Sequence, residues 1–192
     1  VEIVGDRNVE HFKIRRTSNG LSRSSTIAFS QRPIFRALLP EAIIRLGTNP
    51  KVTEVGDYIF RVCFIDPFQG TVMANFASKT LSAKKVAVFT DAKSDYSKGL
   101  AKFFKEKFVA NGGTIAVELD YNGGDKDFKA QLTAIKAANP DGVFVPGYYT
   151  DAALICVQAK QLGLNVPLFG GDGWESEKLI EIGGAAVEGT YL

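Results

Sequence analysis

The feature that most constrains this chain is the regular alternation of strand-like and helix-like runs from Lys85 onward. "KKVAVFTD" is a short run rich in Val and Phe, and the segment after it sets Leu100, Phe103, Phe104 and Phe108 at helical spacing with lysines between them. Asn111-Gly112-Gly113 supplies a helix stop. "TIAVELDY" predicts the next strand and "NGGDKD" a loop, and Phe128, Leu132 and Ile135 line a second helix that ends before Asn139-Pro140. "GVFV" predicts a third strand. Ala152, Ile155, Cys156, Ala159 and Leu162 then form the inner face of a helix stopping at Gly163, followed by the strand "VPLFGG", a short helix near Ser176 to Ile182 and a closing "GTYL". Upstream, "YIFRVC" predicts a strand and Asp66-Pro67 a helix start, with Gln69 reaching back and Val72, Met73 and Phe76 as the inner stripe.

Strands alternating with helices of about 10 to 15 residues make βαβ units, whose sheet is parallel and covered by helices on both faces. Residues 48–192 are therefore expected to form one α/β, Rossmann-like layer structure, with Val86, Val88, Ile115, Val143, Val145 and Leu168 buried in its sheet.

The first 47 residues differ in character. Eight Lys/Arg stand against four Asp/Glu up to Gly47, and fifteen against seventeen after it. The opening "VEIV" reads as a strand, "RRTSNGLSRSSTIAFSQRPIFR" keeps no helical or strand period, and "PEAIIRLG" reads as a helix with a proline start and a glycine stop. Val1 opens without the basic and apolar segments of a signal peptide, as in a mature, trimmed or fragmentary chain.

Composition narrows the function classes. At 192 residues with 45% hydrophobic and 23% charged side chains, the chain is long enough for one globular domain with a smaller appendage. Its apolar runs fall short of the roughly 18 residues of a membrane span. A net charge of +2 is too small to argue for nucleic acid. Cys63 and Cys156 lie in apolar surroundings and read as two buried thiols rather than a bridge. No G-x-G-x-x-G follows a strand and no Gly-Lys-Ser/Thr occurs, so a nucleotide-binding enzyme lacks its phosphate loop. His11 is the single histidine, which leaves neither a hydrolytic triad nor a metal set a plausible basis. No cofactor and no enzymatic activity are expected.

Open parallel sheets bind ligands outside the carboxyl ends of their strands. Four segments qualify here, namely 63–69, 90–97, 146–151 and 170–174. They carry Asp66, Asp95, Tyr96, Tyr148, Tyr149, Asp172 and Trp174, carboxylates and aromatics that suit a small ligand with a cationic group and an apolar body. Asp66, Ser94 and Asp95 also read as helix caps. Asp172, between Gly171 and Gly173, reads either as an exposed carboxylate at a strand end or as a plain turn.

The run "TNPKVTEVGDYIFRVCFIDPFQG", with "SDYSKGLAKFF", "GDKDF", "FVPGYY" and "GGDGW" in that order, resembles the periplasmic leucine/isoleucine/valine-binding proteins of bacterial ABC transporters. The resemblance covers residues 48–192 and corresponds mainly to the second lobe of a type I periplasmic binding protein. It implies that Tyr96 and Tyr148 are cleft tyrosines and that Asp172 receives the α-ammonium of an amino acid. By the same resemblance, Thr48 holds the head group through its hydroxyl and amide, and Gly47 offers a backbone carbonyl. The implied partners are a small apolar L-amino acid (Leu, Ile or Val) and the membrane permease of an ABC transporter, with a homodimer as a further option. The implied location is the periplasm or the extracellular side, with a membrane anchor in the full-length protein left open. Residues 1–47 depart from the family pattern, as a first-lobe remnant, a fusion or a shifted frame. An amino-acid-sensing domain of the same fold in a receptor or regulator is the rival reading.

Overall fold

Four parallel strands carry the part of the molecule that holds the candidate site. The computed structural model describes residues 47–54, 56 and 59–192, and before residue 47 only the backbone of four short strands. The chain divides into two compact units, Val1–Ile65 and Asp66–Leu192.

In the first unit, strands β1 (Glu2–Val4), β2 (Phe12–Arg15), β3 (Thr26–Ile27), β4 (Ile43–Arg45) and β5 (Ile59–Arg61) form a mixed sheet in the order β3-β2-β1-β4-β5. The strand expected in "VEIV" forms over Glu2–Val4. Ile43–Arg45, within the helix expected from "PEAIIRLG", is a strand, because the adjacent β-branched Ile43 and Ile44 suit a pleated ladder between β1 and β5. The strand expected in "YIFRVC" also forms, but it pairs in parallel with β4 instead of joining the sheet of the second unit. The rest of "RRTSNGLSRSSTIAFSQRPIFR", beyond Arg15 and Thr26–Ile27, lies outside the described residues.

In the second unit, helix α1 (Asp66–Asn75) precedes β6 (Lys85–Asp91), α2 (Asp95–Ala110), β7 (Thr114–Tyr121), α3 (Lys129–Ala137), β8 (Gly142–Phe144), α4 (Tyr149–Gln161), β9 (Leu168–Phe169) and α5 (Glu177–Gly183). The sheet runs β7-β6-β8-β9, all parallel. Alternation along the strands sorts the core into two layers. Val86, Val88, Phe144 and Phe169 face Met73 and Ala74 of α1 and Leu100, Phe104 and Phe108 of α2. Ala87, Phe89, Val143 and Val145 face Leu132 and Ile135 of α3 and Ile155, Cys156 and Ala159 of α4. Stacking of Phe104 on Phe144, with centroids 4.1 Å apart, fastens α2 to the sheet.

Five of the six residues expected in the sheet core are buried. Ile115 is only half-buried, because β7 is an edge strand with one side uncovered. Phe103 and Leu162 are likewise half-buried. Val72, expected inside, is 44% exposed, while its neighbour Met73 turns into the core. Cys156 is buried, and its thiol is pushed up to about 12 by that burial, whereas Cys63 is half-buried. Among the described residues no helix is long and apolar enough to cross a membrane.

The order β7-β6-β8 creates a switch point. From β6 the chain crosses to β7 on one side, then returns across to β8 on the other. A crevice opens where neighbouring connections leave the strand ends in opposite directions.

Candidate functional site

Tyr96, Tyr148 and Asp172 converge beyond the carboxyl ends of β6, β8 and β9. Ser94 caps α2 by accepting a hydrogen bond from the Ser97 amide at 3.2 Å, which fixes the first turn in which Tyr96 lies. Tyr148 is the last extended residue before α4, with φ −101° and ψ 154°. It keeps 38% of its surface exposed and its ring centroid lies 5.4 Å from that of Tyr96. Tyr149, already helical, points elsewhere and packs on the core formed with α3 and α4.

Asp172 opens a short 3-10 turn, Asp172–Trp174, after β9. The Tyr96 hydroxyl donates to Asp172 Oδ1 at 2.7 Å, and accepts from the Gly173 amide at 3.2 Å. Burial, then the Asp172 charge and hydrogen bond, raise the Tyr96 phenol far above its ordinary range. Tyr96 is therefore a fixed donor at physiological pH. The close approach requires the flanking glycines. A Cβ on Gly171 would meet the Tyr96 hydroxyl at 2.8 Å, and one on Gly173 would meet the Gly147 carbonyl oxygen at 2.5 Å.

The other side chains singled out at the strand ends do different work. Trp174 is fully buried and donates from Nε1 to the Val145 carbonyl at 3.0 Å, so it is core and not ligand surface. Asp95 is exposed and pairs with Lys98 at 2.9 Å. Asp66 is buried at the start of α1 with its Oδ2 against Gly99. Gly47 and Thr48 belong to the first unit, where both are half-buried. The Gly47 carbonyl accepts from Arg61 Nε at 2.8 Å, and the same guanidinium reaches the Asn49 and Pro50 carbonyls. This fork holds the backbone of the "GTNP" turn in one shape. A carbonyl oxygen retains a second lone pair, so the Arg61 bond does not exhaust Gly47.

Two features escape the sequence pattern. Gln69 of α1, expected to reach back to the helix start, is 8% exposed and instead brings its Oε1 to 3.4 Å from the Tyr96 hydroxyl. A polar residue on the inner face of an otherwise apolar helix was the available signal. The second is a buried cluster of Asp91, Tyr121 and Asp151 beside the crevice. Asp91 Oδ1 accepts from the amides of Lys93 and Gly123, each at 2.9 Å, and Asp151 accepts from the Gly124 amide at 3.2 Å. Among the described residues no group of three or more His, Cys, Asp or Glu side chains could hold a metal ion.

The family model described as "Periplasmic binding protein" matches residues 27–192, beginning upstream of Thr48. The Leu/Ile/Val-binding protein homolog 3 of Brucella melitensis is 37% identical over 148 residues, covering 76% of this chain and 40% of that protein. The leucine-, isoleucine-, valine-, threonine- and alanine-binding protein of Pseudomonas aeruginosa is 35% identical over 144 residues, with 74% and 38% covered. Among solved structures, the leucine-binding protein LivK of Thermotoga maritima superposes with a TM-score of 0.73 at 50% identity over 75% of this chain and 41% of that one. LivJ of Streptococcus pneumoniae, solved with isoleucine, gives 0.68 at 40% identity over 72% and 39%. The chain spans about two fifths of the length of the curated relatives it matches. With the family match extending over most of its length and the fold in agreement, the chain belongs to the periplasmic binding protein family.

Proposed function

We propose that this chain is part of the amino-acid-binding component of a branched-chain amino acid ABC transporter, acting outside the cytoplasmic membrane and delivering a small apolar L-amino acid to a membrane permease. One observation carries the reading. A carboxylate at the switch-point crevice, Asp172, is half-buried, held by a tyrosine hydroxyl on one oxygen, and flanked by the exposed face of a second tyrosine.

A zwitterion taken out of water needs its ammonium paired and its carboxylate met by donors, since an unpaired buried charge costs several kcal/mol. Asp172 receives the ammonium. Tyr96 and Tyr148 supply aromatic surface beside it, which suits both the cation and the apolar body. Gly47 and Thr48 are suited to an amino-acid head group, the carbonyl toward an ammonium and the hydroxyl and amide toward a carboxylate. These roles agree with the relatives' being leucine-, isoleucine- and valine-binding proteins.

Calorimetric titration with leucine, isoleucine, valine and phenylalanine tests the reading. The complete protein is expected to bind the branched-chain ligands well and the 192-residue chain weakly, because a partial cleft leaves the ligand carboxylate short of donors. Two missing charge-assisted hydrogen bonds at roughly 1.5–3 kcal/mol each weaken binding by about two to four orders of magnitude. Absence of any amino-acid binding by the complete protein would sink the proposal.

A further inference from the structure

The Tyr96 hydroxyl is the meeting point of three groups, two of them oxygens facing its single proton. A phenol has one proton and accepts at most two hydrogen bonds. The proton goes to Asp172 at 2.7 Å, and one acceptor position takes the Gly173 amide at 3.2 Å. Gln69 Oε1, 3.4 Å away, is a second acceptor facing a hydroxyl whose only proton is spent. Half a turn of the carboxamide about its terminal bond resolves the conflict, because Nε2 then stands in the same place and donates into the vacant acceptor position. Oxygen and nitrogen of a glutamine amide are nearly the same size, so the hydrogen-bond partners choose between the two orientations.

We propose that Gln69 is a positioning residue for the ammonium site, with its amide nitrogen donating to Tyr96 and thereby committing the tyrosine proton to Asp172. Two donors into one hydroxyl, from Gln69 and Gly173, leave the O–H a single direction in which to point. Each donor also polarises the hydroxyl and strengthens the bond it gives. Asp172 is then held by its Oδ1 with Oδ2 left to a ligand. The charged and titratable groups that face Tyr96 are Asp172 and, across the crevice, Tyr148. Gln69 is suited to this role by its place on α1, the helix that packs most extensively on α2, and by near-complete burial. The absence of a side chain at Gly171 leaves room for it, since a Cβ there would stand 2.9 Å from Gln69 Oε1.

The role in ligand binding rests on the proposed amino-acid site, but the Gln69–Tyr96–Asp172 chain exists without ligand, so two readouts separate them. The first is the Tyr96 hydroxyl proton resonance in the 192-residue chain, assigned by its loss in Tyr96→Phe. It is expected far downfield in the wild type and displaced upfield in Gln69→Met, which fills the same space with no donor. In Gln69→Glu, which keeps size and polarity, a carboxylate competes with Asp172 for the same proton and the resonance moves again. An unchanged resonance in both variants overturns the proposal, and Gln69→Glu decides alone if Gln69→Met loses its fold. The second readout is leucine affinity in the complete protein. Gln69→Met is expected to weaken it about fivefold, the worth of one neutral hydrogen bond, and to have no further effect in a Tyr96→Phe background. Equal losses in both backgrounds would mean that Gln69 acts through packing and not through Tyr96. A wild type that ignores leucine while its Tyr96 resonance responds to Gln69 substitution would sink the functional reading and leave the positioning role standing.

Discussion

Two tyrosine–carboxylate clusters sit side by side at the same end of one sheet, and they have opposite characters. In the first, Asp172 gives one oxygen to Tyr96, and Tyr148 beside it stays 38% exposed. In the second, Asp91 and Asp151 are each 5% exposed and accept from backbone amides of Lys93, Gly123 and Gly124, with the Tyr121 ring driven between Phe89 and Phe128. Residue types hardly distinguish them. The difference is where backbone N–H groups go. The loop after β7 folds back and spends its amides on Asp91 and Asp151, turning these carboxylates into loop anchors. Asp172 is half-buried and accepts from a side chain, the Tyr96 hydroxyl, between two glycines. Gly147 stands between the clusters, with Tyr121 against its α-carbon and its carbonyl against Gly173.

The largest expected effect is on the open cluster. Asp172→Asn in the complete protein is expected to lower leucine affinity at least about a hundredfold, because a buried ammonium loses its charged partner in this unit, and to change thermal stability little. Titration calorimetry and a melting curve read the two consequences. Affinity equal to the wild type would remove the ammonium assignment and make the two clusters alike in function.

Next comes the glycine between them. A Cβ on Gly147 would lie 2.1 Å from the Tyr121 hydroxyl, and that ring is wedged by Phe89 at 4.9 Å and Phe128 at 5.4 Å between centroids. Gly147→Ala is expected to cost about 1–3 kcal/mol of stability in denaturant unfolding. A melt within error of the wild type would show that the second cluster yields easily and is no rigid anchor.

What could be read in the sequence follows the same division between local and distant causes. The helices and strands from Lys85 on were legible because alternation along "KKVAVFTD" and 3.6-residue spacing along "LAKFFKEKF" are properties of the segment itself. Partner choice was not. Ile59–Arg61 is strand-like in isolation, yet its pairing with Ile43–Arg45 depends on residues distant in the chain. Ile43–Arg45 itself was hidden by a proline and a glycine that imitate helix boundaries. Strand-end placement made Tyr96, Tyr148 and Asp172 visible as candidates, whereas Trp174, in the same kind of place, went to the core because its N–H finds the Val145 carbonyl. The Asp91–Tyr121–Asp151 cluster had no local signature, and Gln69 had only its polarity on the inner face of an apolar helix, which does not name its partner. They exist because α1 packs on α2 and because three strands end together.

A smaller effect tests the closed cluster through pH. Burial raises the Asp151 carboxyl above its ordinary value, Gly124 pulls it partly back, and the charge of Asp91 raises it further, with Lys126 and Asp125 contributing opposite lesser effects. The folded protein thus holds that proton more tightly than the unfolded chain. Its contribution to stability is complete below about pH 4 and is lost as pH rises through the folded midpoint. Asp151→Asn resembles the protonated form, can still accept from Gly124, and is expected to match the wild type near pH 4 and to melt at a higher temperature at pH 7. A variant that loses stability at pH 7 relative to pH 4 would show that the charge on Asp151 supports the loop instead of burdening it.

The smallest expected effect sharpens the contrast most, because it concerns a hydroxyl. Tyr121 is 2% exposed and its oxygen has no hydrogen-bond partner, whereas the Tyr96 oxygen both donates and accepts. Burial, and after it the charges of Asp151, Asp91 and Tyr148, raise its phenol well above the ordinary range, so it stays neutral and contributes no charge. An unpaired buried hydroxyl costs roughly 1–3 kcal/mol, and Phe keeps the edge-to-face contacts with Phe89 and Phe128 that hold the ring. Tyr121→Phe is therefore expected to be neutral or stabilising by up to about 1 kcal/mol, a rise of about 2–4 °C in melting temperature. Removal of the oxygen also removes the atom nearest to a Cβ on Gly147, so Tyr121→Phe is expected to recover much of the stability lost in Gly147→Ala. A loss of more than about 1 kcal/mol in Tyr121→Phe alone would mean that a buried water joins this hydroxyl to Asp91 or Asp151. The second cluster would then be a closed polar network, and the distinction between an engaged tyrosine at the open site and an idle one behind it would fall.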